Sequence, residues 1–253
     1  MELIGLTISP FSDRAKWALD HHRLPYRYSE HLLIFGIPEL RLKLRNFTGG
    51  VTVPALIDGS RRLMDSFDIA EYADGRGAGS KLFPAGFREK IREWNEVSEE
   101  ICDDGRAVVS ENVRRDPQAQ RVLMPPTLPA WMRRAASTLT SLATSYLNRS
   151  FAMTAQPRPV REARLHGNLG RIRTALGRGG GKYLHGDTLT YADVTIACAL
   201  QMIRPATGSF LDKHEATRRC WTQPALAAEF SDILAWRDQL VAAHKPRTSS
   251  RTR

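Results

Sequence analysis

Ser9, Pro10, Phe11 and Ser12 follow a short apolar run, Glu2–Thr7, and open a stretch of helical periodicity in which Phe11, Ala15, Ala18 and Leu19 share a face. A serine followed by proline is the pattern of an N-cap and a first helical position. The same geometry suits a bound thiol. A helix start presents N–H groups without partners and a partial positive charge, and both favour an anion. A serine hydroxyl beside it can donate to a thiolate. A thiol of pKa about 8.5 is only slightly ionised at neutral pH, and a drop of about two units, roughly 2.7 kcal/mol, makes the thiolate dominant. One charge-assisted hydrogen bond and a helix terminus together reach that size. Ser9 is the first candidate donor and Ser12 the second, and a plain helix cap explains the same residues.

A second group lies further on. Val51-Thr52-Val53-Pro54 leads into an apolar strand that ends at Asp58-Gly59, a strong hairpin dipeptide. Asp65-Ser66 then begins another helix, whose start favours a nearby anion. A cap is again the simpler alternative. Thr190 and Asp193 have the spacing of a capping box before the apolar run Val194–Leu200, a structural role.

The elements that must carry these residues alternate. Strand patterns at 2–7, 25–30, 55–57 and 62–64 and helical patterns at 10–22, 38–45 and 67–72 give the order βαβαββα, with a parallel crossover first and an antiparallel hairpin last. The expected fold is an α/β thioredoxin-like domain over 1–76, a Gly-rich linker over 77–85 and an all-α helical bundle over 86–244. Helices are expected at 86–109, 130–147, 160–176 and 226–243, with Pro-rich loops at 124–129 and 154–159. Residues 245–253 have the composition of a disordered basic tail.

Composition narrows the function classes. The 253 residues are 42% hydrophobic and 25% charged, ordinary values for a globular protein. No apolar run is long enough to span a bilayer and no leader peptide is read at the start, so a cytoplasmic protein without a membrane partner is expected. The three cysteines, Cys102, Cys198 and Cys220, are widely spaced and make neither a disulfide framework nor a metal-ligand pattern, so no metal is expected. The net charge of +10 is spread in pairs such as Arg61-Arg62 and Arg218-Arg219, and without a nucleic-acid motif it reads as solvated charge able to steer an anionic ligand.

Ser9-Pro-Phe-Ser12, Val51-Thr-Val-Pro54 and Asp65-Ser66, in this order and spacing, resemble the N-terminal domain of the glutathione transferase superfamily. Tyr183-Leu-His-Gly, the box at Thr190–Asp193 and Trp221-x-x-Pro224 resemble its helical domain, so the likeness runs to about Ala243. The resemblance implies glutathione as co-substrate, a cis Pro54, and a homodimer. Val53, flanked by Thr52 and Pro54, would pair its backbone with the cysteinyl part of glutathione like an added strand. Asp65 and Ser66 would hold the γ-glutamyl end, and Phe11 would lie against the ligand. A small electrophile would meet Phe11 and the helix carrying Trp94, Ser98, Ile101 and Cys102, although Trp94 is equally explained by core packing.

Two departures from the family pattern stand out. Ser9 occupies the place where thiol-exchanging relatives carry cysteine, and serine cannot form a mixed disulfide. The basic or amide residue that commonly precedes the Val-Pro is replaced by Val51 and Thr52, which leaves Arg45, Asn46 or another arginine for the glycine carboxylate. The expected function is glutathione transfer to an electrophile. Glutathione-dependent isomerisation or dehalogenation on the same scaffold, or a non-catalytic binding protein of the same fold, are the alternatives.

Overall fold

A computed structural model of the chain describes residues 1–33, 35–124, 136–151 and 156–246. Of the tail expected over 245–253, Lys245 is described and bonds to Asp13, a departure from the expected disorder. The residues beyond 246, the Pro-rich loop after Met124 and the first residues of the helix expected at 130–147 lie outside the described residues.

Sheet and helices alternate from the start: β1 Glu2–Gly5, α1 Pro10–His21, β2 Arg27–Glu30, α2 Ile37–Leu44, β3 Ala55–Asp58, β4 Arg61–Leu63 and α3 Ser66–Arg76. The sheet order is β2-β1-β3-β4, with β1 parallel to β2 and antiparallel to β3, and β3 antiparallel to β4. This is the expected βαβαββα arrangement. Asp58 pairs with Arg61, so the hairpin loop is Gly59-Ser60, one residue later than the Asp-Gly dipeptide suggests. Gly59 takes φ +57°, which a residue with a Cβ adopts only at a cost.

Alternation along the strands divides the core. Ile4 and Ala55 pack with Leu40 and Leu44 of α2 on one face. Their neighbours Leu3 and Leu56 are register partners and turn to the other face, where α1 and α3 lie against each other. Leu3, Leu19, Leu56 and Ile69 are fully enclosed, each worth about 1.5–3 kcal/mol of burial.

The helical remainder comprises α4 Arg88–Arg115, α5 Pro117–Leu123, α6 Ala136–Phe151, α7 Arg158–Arg178, α8 Tyr191–Ala199, α9 Phe210–Lys213, α10 Glu215–Trp221, α11 Pro224–Glu229 and α12 Ser231–His244. Several details differ from the sequence reading, among them α5, α9 and α10, which lie outside the expected helices. The helix expected over 226–243 is two helices, because the backbone turns at Phe230 (φ −107°, ψ 34°). Pro159, expected in a loop, lies in the first turn of α7, where a missing N–H costs nothing. By internal packing the chain divides into two compact units, Met1–Glu96 with Gly179–Cys198 and Gln239–Arg253, and Val97–Arg178 with Ala199–Asp238. In the second, the Arg164 guanidinium grips buried Asp104 at 2.8 and 2.6 Å, and Asn168 donates to Glu100 at 2.8 Å. A Cβ on Gly105 would stand 2.5 Å from the Met202 Cβ, so these segments pack at glycine distance.

Among the described residues no helix is long and apolar enough to cross a membrane, and no cluster of three or more His, Cys, Asp or Glu could hold a metal.

Candidate functional site

Ser9 is the N-cap of α1, with extended backbone (φ −91°, ψ 126°) and Pro10 at the first helical position. Its Oγ accepts only a long bond from the Ser12 N–H, at 3.5 Å, and among the described residues its own O–H donates to nothing. The hydroxyl is half-buried and available to a ligand. Ser12 is placed differently. It is fully enclosed, and its Oγ accepts the Leu6 N–H at 3.0 Å. A Cβ on Gly5 would come within 2.9 Å of that oxygen, so the glycine makes room for the Ser12 hydroxyl. Ser12 thus closes the turn between β1 and α1, and this enclosure counts against the second of the two thiol-donor candidates.

The Val53–Pro54 peptide bond is cis. Pro54 and Ala55 are buried, Val53 is half-buried and Thr52 is exposed. Strand β3 starts only at Ala55, and among the described residues the N–H and C=O of Val53 pair with no other group. They form an open backbone edge. The loop leading to it is tied down. Asn46 Oδ1 accepts the Gly49 N–H at 2.9 Å, and its Nδ2 donates to the Gly50 carbonyl at 3.1 Å. The Arg41 guanidinium donates to the carbonyls of Gly49 (2.8 Å) and Asn46 (3.3 Å). Arg45 is exposed at the C-cap of α2. Of the named candidates for the glycine carboxylate, Asn46 is engaged in the turn and Arg45 is exposed, while Arg41, which the sequence reading did not single out, bonds the loop carbonyls.

Asp65 caps α3 through one oxygen only. Oδ1 accepts from the N–H groups of Phe67 (2.7 Å) and Asp68 (3.3 Å), while Oδ2 accepts none among the described residues and the side chain is exposed. Capping and ligand binding are therefore compatible in one carboxylate. Ser66 is the first residue of α3 and is buried at 2% exposure, and its N–H belongs to the first turn, whose N–H groups have no partner within the helix. Asp68 titrates above its ordinary value, through burial first and then repulsion from Asp65 and Glu71, with Arg92 and Arg88 opposing the shift.

One face of α8 holds α1 and α3 together. Tyr191 donates its hydroxyl to the Ser66 carbonyl at 3.0 Å and lies among the rings of Phe67 and Phe83. Four residues on, Thr195 meets the buried Arg14 guanidinium of α1, which also donates to Asn95 at 3.0 Å and covers the Phe11 ring at 4.3 Å. A buried arginine is tolerable only with such partners. The helix itself starts at the capping box. Asp193 accepts from the Thr190 N–H (2.8 Å), the Thr190 hydroxyl (2.9 Å) and the Leu184 N–H (2.7 Å). The threonine hydroxyl donates to the carboxylate rather than capping an N–H, and burial raises the Asp193 pKa despite these bonds. Tyr191, Thr195 and Arg14 were missed in the sequence. Their available signal is polar residues at helical spacing within otherwise apolar stretches.

The second-substrate candidates divide. Ser98 and Ile101 are fully enclosed and Cys102 is 1% exposed, which places them in the interior, while Trp94 is half-buried. Cys198 and Cys220 are buried as well, and burial pushes the Cys220 thiol up to about 11. An open depression lined by Asp58, Arg61, Tyr72 and Arg76 contains none of the candidate residues.

Known proteins share this fold. The family model of the glutathione S-transferase N-terminal domain matches residues 3–81, and that of the glutathione S-transferase C-terminal domain matches residues 128–239. A glutathione S-transferase from Methylobacillus flagellatus KT, solved with GSH bound, superposes with a TM-score of 0.59 at 15% identity, over 98% of this chain and 96% of that one. A glutathione S-transferase domain-containing protein from Marinobacter aquaeolei VT8 gives 0.60 at 18% identity, over 99% and 100%. Glutathione transferase Omega 3C from Trametes versicolor gives 0.56 at 12% identity, over 99% and 90%. No curated protein sequence matches the chain. With both domain families matched in chain order around a thioredoxin-like sheet, the chain belongs to the glutathione S-transferase superfamily.

Proposed function

We propose that the protein binds glutathione in the domain spanning 1–76 and activates its thiol for attack on a small electrophile. The observation that carries this reading is the open backbone edge of Val53 beside Pro54, which offers one donor and one acceptor to an extended peptide. Ser9 donates its hydroxyl to the sulfur, and the α1 start adds its positive end. Asp65 takes the γ-glutamyl ammonium through Oδ2 while the Ser66 N–H takes the carboxylate. Arg41 serves the glycyl carboxylate from its place at the 46–50 loop. Phe11 and Trp94 offer apolar surface to the second substrate.

Ionisation and positioning supply the catalysis. The thiol proton leaves to solvent, the thiolate forms the new sulfur–carbon bond, and the leaving group departs with its electron pair. The enzyme is read as a cytoplasmic homodimer, in keeping with its family.

Calorimetry with glutathione tests the reading. Saturable binding at micromolar to millimolar ligand is expected, followed by conjugate formation with at least one member of an electrophile panel. No heat at millimolar glutathione overturns it, and binding without turnover on any electrophile assigns a non-catalytic role.

A further inference from the structure

Asp13 lies one turn into α1, its N–H donating to the Ser9 carbonyl at 3.0 Å. An acidic residue in the first turn stabilises a helix. Here it also places a negative charge close to the end where the proposed thiolate sits. As a general scale, a charge on the order of 10 Å away at an intermediate dielectric opposes ionisation of a second anion by about one pKa unit.

The fold answers this charge with a residue from the far end of the chain. Lys245, directly after α12, places its Nζ 2.7 Å from each Asp13 carboxylate oxygen. Both side chains are partly shielded, at 23% and 28% exposure, so the pair is less screened than a surface ion pair. The ammonium also lies 5.5 Å from the Trp17 ring centre, and the preceding residue, His244, meets the Tyr183 hydroxyl at 3.0 Å, which fixes where the chain arrives. Burial pushes the Asp13 carboxyl up, yet Lys245 outweighs it and the group titrates below its ordinary value.

The other groups around the pair are Lys16, Asp20 and Arg14 on α1, Tyr26 and Tyr28 beyond it, and Cys198, whose Sγ is 3.6 Å from Asp13 Oδ2. Lys16 lies over the Tyr28 ring and Arg14 is engaged by Asn95 and Thr195. Among the described residues no other cation bonds to Asp13.

We propose that Lys245 is a positioning residue for the thiol chemistry, cancelling the Asp13 charge so that the α1 start stays net positive toward a bound thiolate. The inference rests on the glutathione reading above.

The experiment follows the ultraviolet thiolate absorbance of bound glutathione against pH in the full chain and four variants. Lys245→Met raises the apparent thiol pKa by about one unit. Asp13→Asn lowers it, the double variant returns close to the natural value, and Lys245→Arg keeps it. Shifts of opposite sign from the two partners do not arise from a merely structural contact. If Lys245→Met fails to fold, Asp13→Asn and Lys245→Arg decide: a lowered pKa in the first with a kept value in the second supports the proposal, and anything else overturns it. A depressed thiol pKa in the natural chain that neither single variant moves overturns this proposal alone. A natural chain that binds no glutathione overturns the functional reading and this proposal together.

Discussion

The Tyr191 hydroxyl donates to the main-chain carbonyl of Ser66 at 3.0 Å, so the first residue of α8 fixes the first residue of α3. With Thr195 meeting Arg14 one turn later, a single helix face sets where two helix starts stand, the one capped by Ser9 and the one capped by Asp65. Tyr191→Phe keeps the ring packing and removes this bond. A stability loss of about 1 kcal/mol is expected by urea unfolding, together with glutathione affinity weakened several-fold by calorimetry. Unchanged affinity would separate the contact from the site.

Ser12 and Ser9 part company on removal of their hydroxyls. Ser12→Ala strands the Leu6 N–H inside the β1–α1 turn and is expected to cost about 1–3 kcal/mol. Its bound thiol should still ionise as in the natural chain. A shifted titration with intact stability would reverse the assignment of the two serines.

Asp65 does two jobs with two oxygens, which a conservative change can divide. Asn caps a helix about as well as Asp, so Asp65→Asn should leave the unfolding midpoint within a few tenths of a kcal/mol. Loss of the negative charge should weaken glutathione binding about tenfold, equivalent to roughly 1.4 kcal/mol. Equal affinities in the two chains would show that the exposed Oδ2 holds no ligand ammonium.

His22 gives the fold an acid sensitivity. It is enclosed at the end of α1, with Nε2 3.3 Å from Asp74 Oδ1. Burial, with help from neighbouring His21, pulls its pKa below the ordinary value against the attraction of Asp74. The unfolded chain therefore binds the proton first, so stability falls as pH drops below about 6.5 and continues to fall until the folded histidine charges too. His31 is lowered for the same reason. Melting scans at neutral and mildly acidic pH should show a smaller acid loss in His22→Gln than in the natural chain, with the remainder shared by His31 and His244, which burial also lowers.

Much of the first domain was legible because its signals are local. Ser-Pro marks a helix start, Asp-Gly marks a hairpin to within one residue, and alternating Leu and Ile mark strand faces. Ser9 could be read as a helix cap by the same means, whereas Val53 and Asp65 were singled out as ligand residues only through the resemblance to the glutathione transferases. The contacts that join distant elements could not be read at all. Tyr191 with Ser66, Thr195 with Arg14 and Lys245 with Asp13 are each separated by more than a hundred residues, and no periodicity links them. The break at Phe230 was missed because the apolar pattern continues across it. Ser98, Ile101 and Cys102 share a helix face with a pocket-like composition, yet polar atoms on that face are buried among partners rather than presented to a ligand.

The account turns on a hydroxyl at the head of α1 lowering the pKa of a bound thiol. An ultraviolet difference titration of glutathione on the natural chain and on Ser9→Ala reads this directly. The natural chain should form thiolate about two pH units below free glutathione, and the variant should lose most of that advantage while still binding the peptide. Coincident titration curves for the two chains would contradict it.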